Sequence, residues 1–443
     1  MDTTHPSDFA SRVLVVASED GRLNDLAARL DVEGWPTVVV PDMSAAIETV
    51  QRGPIDAALI HLDTEALQRL DELRAAAPWR YLSILALGGD GAPPPDVVDL
   101  RLSGHAHPSQ IAQRLEQLVR AAIAEEEFRL RAETLSSYGI ALELPQDQDS
   151  PVTVLAVGAA DHRFLGLSNS LSQAGAQVVA APTPYTAFDY LHERPFDATI
   201  LWGGENRSVA MSIASGMKRN TRLYHIPIML YLQRGDEVNL TDLYNRGFAD
   251  VANATVSEAE TAERIMALAQ NHRRRAAIRK ALDSVRVSNL TDPVTGLFNS
   301  EPFAHHLRRV YSASRSRQRK LSLCVLKVVR TEALGIINQG GYLDRALPQV
   351  GAMISRLVRV EDTAARLSPD TFALMMPATG ADAAHVAAER IAAVIACTAF
   401  EAGEGRSPFV LEFDIGVAEM KEGEGPIQLL ERAVADARTK AAA

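Results

Sequence analysis

The chain has 443 residues, 47% of them hydrophobic and 23% charged, with a formal net charge of −11 at pH 7. That length suggests roughly two to four domains, and the acidic balance argues against a general nucleic-acid-binding surface while leaving room for a local anion pocket. No uncharged apolar run approaches the ~18 residues of a membrane-spanning helix, and the opening MDTTHPSDFASRVLVV lacks a signal peptide's basic start, so a cytoplasmic protein with no membrane span is expected.

In chain order, RVLVVASED (12–20), AALIHLD (57–63) and LSILALGG (82–89) are short apolar runs separated by amphipathic helical sequence. The layout repeats with VTVLAVGAAD (152–161), DATILWGG (197–204) and IPIMLYL (226–232). Such β-rich runs between helices predict parallel sheets covered on both faces. Helical periodicity over 115–135 and 265–286 predicts connecting helices; the run Arg273 to Arg275 within the second is read as a solvated face rather than an anion site. The two cysteines, Cys324 and Cys397, lie in apolar segments and are read as core residues rather than a disulfide or metal site.

The two repeated units resemble response-regulator receiver domains, in which an acidic cluster holds Mg²⁺ beside a phosphoacceptor Asp at the end of the third strand. In the first unit His61 falls at the acceptor position, with Asp56 and Asp63 as the acidic residues left to accept a phosphoryl group. The acidic pair after the first strand reads Ala17-Ser18 with Glu19 and Asp20 beyond it, and the family's Lys-Pro step reads His107-Pro108. In the second unit Trp202 takes the acceptor position, Gly158-Ala159-Ala160 follows the first strand, and no Lys stands near Thr255, so this unit is read as a packing or dimerisation module.

The third unit opens NLTDPVTGLFNSEPF (289–303), and Asp292, Thr295, Gly296, Leu297 and Asn299 match the D-x-L-T-G-L-x-N entry of GGDEF domains. Asp344, Leu347, Val350, Ile354, Arg359 and Asp362 keep that family's spacing up to its Arg-x-x-Asp motif. The chain as a whole resembles PleD-type receiver-receiver-GGDEF regulators. The fold class expected is α/β: two receiver-like (flavodoxin-like) parallel-sheet domains over 1–138 and 150–285, each with its connecting helix, and a GGDEF (nucleotidyl-cyclase-like) α/β domain over 286–443.

An active cyclase of that family holds Mg²⁺ over GTP with two carboxylates and a backbone carbonyl. Here Lys327 and Val329 occupy the carboxylate positions, and a lysine there opposes metal loading as well as failing to ligate. The family's base-recognising Asn falls at Gly335, while Asp344 keeps its companion carboxylate. At the phosphate turn Ser368-Pro369 replaces Gly-Gly, Asp370 stays acidic and Thr371 replaces the next residue; Pro fixes φ and removes an N–H. The closing ERAVADARTKAAA only loosely follows the family's last helix. The domain is therefore expected to be degenerate: no enzyme, no metal, no cofactor. A weakly active diguanylate cyclase using Asp344 and Asp370, or a dimeric scaffold binding no nucleotide, are the alternatives.

Arg359 and Asp362, three apart near a helix end, are expected about 5–6 Å from each other, spaced for a guanine edge. The resemblance supplies the ligand, cyclic di-GMP, and adds Arg390, which matches a second arginine on the following helix. Two receiver-like domains, a lost metal site and a retained Arg-x-x-Asp together resemble cyclic di-GMP effectors of the bacterial cell cycle. That resemblance implies recruitment to a cell pole and delivery of a replication regulator to a ClpXP-type protease through adaptor proteins, with a homodimer formed through the receiver-like domains.

Overall fold

The computed structural model describes residues 12–17, 21–77, 81–89, 96–104, 106–144, 150–158, 161–203, 207–220, 222–232, 238–285, 289–403 and 405–441. The first domain runs β1 (Arg12–Val16), α1 (Gly21–Val32), β2 (Thr37–Val40), α2 (Met43–Arg52), β3 (Ile55–His61), α3 (Thr64–Ala75), β4 (Ser83–Leu87), β5 (Leu100–Leu102) and α4 (Pro108–Ser136). Its strands are parallel in the order β2-β1-β3-β4-β5. Leu14, Ala58, Leu59 and Ile84 are fully buried, as strands covered on both faces require.

The second domain repeats the plan with β6 (Val152–Val157), α5 (His162–Gln173), β7 (Ala176–Ala181), α6 (Pro184–Glu193), β8 (Ala198–Trp202), α7 (Arg207–Arg219), β9 (Ile228–Leu232), α8 (Leu240–Asn245), β10 (Asp250–Asn253) and α9 (Glu258–Ser284). Its order, β7-β6-β8-β9-β10, is again the flavodoxin-like 2-1-3-4-5 arrangement. The expected duplication is present strand for strand.

The third domain contains β11 (Phe298–Asn299), α10 (Ser300–Ser316), β12 (Leu321–Val328), α11 (Glu332–Gln339), α12 (Tyr342–Leu357), β13 (Thr363–Ser368), β14 (Thr371–Pro377), α13 (Ala381–Ala396), β15 (Phe413–Glu419) and α14 (Pro426–Ala441). The sheet order is β11-β13-β14-β12-β15, with β12 lying between β14 and β15 and antiparallel to both. Two glycines make its packing close. A Cβ on Gly351 of α12 would stand 2.3 Å from the Thr295 carbonyl oxygen, and one on Gly416 of β15 would stand 2.1 Å from that of Ala433. Cys324 is buried in β12, as expected, but Cys397 is exposed because it ends α13 where the chain leaves the core.

The chain forms two compact units. One holds both receiver-like domains, up to Ala122 in α4 and Ala277 in α9; the other holds the rest of those two helices and the third domain. Inside the first unit the two domains meet through β5 and α4 on one side and β10 and α9 on the other. Arg101 donates two bonds to Glu263, at 2.8 and 2.9 Å, and Gln110 donates to Asp250 at 2.8 Å. Asp250, fully buried, accepts from Arg264 at 2.6 and 2.9 Å and has Arg114 at 3.8 Å. Burial pushes its carboxyl pKa up, but the two guanidinium groups outweigh that and hold it below the usual carboxylate range. These faces are occupied by contacts within the chain.

In the second unit Ala124 and Phe128 of α4 pack with Ile278 and Ala281 of α9 and with Val360. The ends of both connecting helices are thus part of the core beneath the Arg359–Asp362 segment.

Candidate functional site

In the first receiver-like domain Asp63 is the N-cap of α3, its Oδ1 accepting from the Ala66 N–H at 2.8 Å. Asp56 is buried in β3, and His61 ends that strand at the acceptor position. Ser18, Glu19 and Asp20 lie outside the described residues, among which no group of three acidic, His or Cys side chains could hold a metal ion. In the second domain Trp202 fills the acceptor corner. It stacks on Tyr231 with centroids 4.2 Å apart and donates to Asp161 at 3.3 Å. Gly158, at φ +138°, leaves it room, since a Cβ there would stand 2.5 Å from the Trp202 Cβ; Ala159 and Ala160 lie outside the described residues. No phosphoryl chemistry is available to an indole packed in this way.

The positions expected from the resemblance to be catalytic lie at the end of β12, in the β13–β14 turn and on α11 and α12. Lys327, near the end of β12, faces Thr371 on β14 and Asp414 on β15 as direct cross-strand neighbours. Val329 follows the strand and donates its N–H to the Glu412 carbonyl at 2.9 Å. The β13–β14 turn is tied by side chains: Asp370 accepts from Arg330 at 2.9 and 2.6 Å, from Ser368 at 2.9 Å and from Thr371 at 3.1 Å. Burial raises the Asp370 pKa, and these bonds more than reverse it, keeping the carboxyl below its ordinary range. The Pro369 carbonyl accepts from Arg366 at 3.0 Å, and Arg366 also meets Asp292 at 3.1 and 3.2 Å. Gly335 sits in α11 with nothing within 4 Å of an added Cβ, and Asp344 is exposed in the first turn of α12. This end of the sheet presents Lys327 and an Asp370 carboxylate held by the Arg330 guanidinium.

Arg359 and Asp362 are not neighbours on a helix. α12 ends at Leu357, and residues 359–362 form a turn in which the Arg359 N–H donates to Asp362 Oδ2 at 3.0 Å and the Asp362 N–H donates to the Arg359 carbonyl at 3.2 Å. The expected face-sharing pair is replaced by a carboxylate that caps its own turn. Arg359 is exposed and Asp362 is only 7% exposed, with its Oδ1 buried, so the arginine is the more accessible of the two. Arg390 reaches the same place from α13, its Nη2 standing 3.5 Å from the Leu357 carbonyl. The three residues proposed for the nucleotide therefore converge at the C-terminal end of α12.

Five residues around this turn, Arg279, Arg131, Glu127, Thr363 and His306, were not identified in the sequence. Arg279 of α9 donates to the Ser355 and Val358 carbonyls at 3.0 and 3.1 Å. Arg131 of α4 donates to the Asp362 carbonyl at 3.2 Å and to Glu127 at 2.9 Å. Glu127, 2% exposed, also accepts from Thr363 at 3.0 Å and lies 2.6 Å from the His306 Nε2. Burial would raise the Glu127 pKa, but His306 and Arg131 outweigh it and hold the carboxyl down. A signal existed in the Glu127/Arg131 spacing of four, which on a helix pairs opposite charges, but nothing in it named a partner in the third domain. Arg131, Arg279, Arg359, Asp362 and Thr363 border one cavity of about 90 Å³. That is far below the roughly 300 Å³ at which pockets enclose a drug-sized ligand, so only part of a dinucleotide can enter.

Residues 289–442 match the family model described as diguanylate cyclase, GGDEF domain. The GGDEF-type domain therefore follows two parallel-sheet α/β domains. Among curated proteins, response regulator PleD of Caulobacter vibrioides is 22% identical over 241 residues, which are 54% of this chain and 53% of that protein. Diguanylate cyclase DgcP of Pseudomonas aeruginosa is 26% identical over 174 residues, 39% of this chain and 25% of DgcP. The chain thus spans about half the length of its PleD relative. Among solved structures, the FimX GGDEF domain from Pseudomonas aeruginosa aligns with TM-score 0.33 at 22% identity, covering 35% of this chain and 95% of that one. The GGDEF domain of DgcB from Caulobacter crescentus, solved in complex with c-di-GMP, aligns with TM-score 0.32 at 23% identity, covering 34% and 90%. Among the described residues no helix is long and apolar enough to cross a membrane.

Proposed function

We propose that this chain is a non-catalytic cyclic di-GMP receptor, with receiver-like domains over 1–138 and 150–285 and a degenerate GGDEF domain over 286–443. The observation that carries the reading is the contrast between the two ends of the GGDEF-type domain. At the catalytic edge Lys327 stands at a metal position and Arg330 ties up Asp370. At the far end of α12, exposed Arg359 and Arg390 converge beside the largely buried Asp362. A guanidinium can bond or stack on guanine, and a carboxylate edge can accept its N–H groups. The match of this domain to a diguanylate cyclase family makes the ligand class a natural one.

The whole also resembles the cell-cycle regulator PopA. On that likeness we extend the proposal to recruitment to a cell pole and delivery of a substrate to a protease through adaptor proteins. Calorimetric titration with cyclic di-GMP tests the core of it. Binding by wild type and its loss in Arg359→Ala is the expected result; equal binding by both, or none by either, refutes the site. Incubation with GTP and Mg²⁺ tests the catalytic half: cyclic di-GMP above a protein-free control would restore the weak-cyclase reading.

A further inference from the structure

We infer that Arg279, from the end of connecting helix α9, is a ligand-contacting residue of the same site and takes a phosphodiester oxygen of the nucleotide; this rests on the cyclic di-GMP reading above. Arg279 borders the cavity that Arg359 and Asp362 also line. Its Nη1 and Nη2 each donate one bond, to Ser355 and Val358 carbonyl oxygens at 3.0 and 3.1 Å. A guanidinium carries five N–H donors, so three remain for another acceptor. The two carbonyl bonds hold its plane against the end of α12, which makes those donors a preorganised fork of the kind that suits phosphate.

Cavity size points the same way. A volume of about 90 Å³ is too small for a guanine-ribose unit, but several times the ~10–15 Å³ that one water requires, enough for a phosphate group. The guanidinium groups lining it come from α4, α9 and the 359–362 turn, as Arg131, Arg279 and Arg359, against the carboxylates of Asp283 and Asp362 in the same lining. Arg131 is matched by buried Glu127, whereas Arg279 spends its bonds on neutral carbonyls. An anion entering the cavity meets Arg279 as a charged donor, while the guanine lies outside against Arg359 and Arg390.

The test compares the full-length chain with Arg279→Ala, Arg279→Lys and Arg359→Ala in cyclic di-GMP titrations from about 50 to 300 mM salt, a range over which screening weakens exposed charge contacts. Arg279→Ala is expected to bind about tenfold more weakly at low salt and to show a flatter dependence on salt. Arg279→Lys, which keeps the charge, is expected to recover the wild-type slope and part of the affinity. Loss of affinity with an unchanged slope means that Arg279 only positions the turn, and overturns the inference. So does wild-type binding by Arg279→Ala when Arg359→Ala has lost it, which leaves the parent reading standing. Failure of the wild-type chain to bind overturns both. Melting curves for each variant separate unfolding from loss of contact.

Discussion

Arg330 grips the Asp370 carboxylate through two hydrogen bonds to one oxygen, at the β13–β14 turn. The Arg330 side chain is 81% exposed, so the pair is screened and should contribute no more than about 1 kcal/mol to stability. Its effect is to occupy the carboxylate. Replacing Lys327→Asp and Val329→Asp restores two acidic positions but leaves Pro369, Gly335 and the Arg330 grip in place. The double variant is expected to form no cyclic di-GMP from GTP and Mg²⁺, read by chromatography. Product formation would refute the reading that Pro369, Gly335 and the Arg330 grip keep the proposed degenerate site inactive.

Glu127 is the anchor of the core beneath the 359–362 turn. It takes bonds from Arg131 and Thr363 and stands beside His306, with all four residues buried. Removing one member of such a group strands the others, at a cost of about 3–5 kcal/mol. Glu127→Ala should therefore lower the denaturant midpoint of the second compact unit while leaving the transition of the first in place. Glu127→Gln, which keeps an acceptor, should cost less. A single shared shift of both transitions would show that the two units unfold together.

Arg359 and Arg390 reach the proposed ligand differently. Arg359 sits on the turn itself, while Arg390 is an exposed helix residue whose Nη2 is 3.5 Å from Leu357 O. Arg390→Ala is expected to weaken cyclic di-GMP binding by less than about tenfold, and Arg359→Ala by more. Calorimetry gives both numbers, and the reverse ranking would move the centre of the site to α13.

These expectations show how far residue patterns reach. The β-rich runs through His61 and Trp202 announced the first two sheets because strand burial is written locally, in which residues alternate or run together. The Arg359 and Asp362 positions were legible in their spacing, but their geometry was not. Three residues apart suggests a helix face, whereas the helix ends at Leu357 and Asp362 caps the turn instead. Arg279 and Glu127 were invisible for a different reason. Each lies on a connecting helix whose sequence reads as an ordinary charged amphipathic stretch, and its partners, Ser355, Val358, Thr363 and His306, are about 80 to 240 residues away.

His272 gives the first unit a dependence on pH. Its ring stacks on His225 at 5.2 Å between centroids, and both its nitrogens are buried without a hydrogen-bond partner. Burial, with His225, Arg275 and Lys218 adding positive charge against the opposing Asp197, lowers its pKa from 6.5 to about 4. Between those two values the unfolded chain binds a proton that the folded chain refuses, so stability is complete above about pH 6.5 and falls as pH drops through 4. At about 1.4 kcal/mol per pH unit of displacement the full loss is on the order of 3–4 kcal/mol. Buried Asp250, held below its usual range, adds a loss of the same sign at lower pH. His272→Phe keeps a ring against His225 and cannot titrate. Urea midpoints of the first unit measured from pH 7.5 to 4 should fall for the wild type and stay nearly level above pH 4.5 for the variant; parallel curves would place the titration on another group.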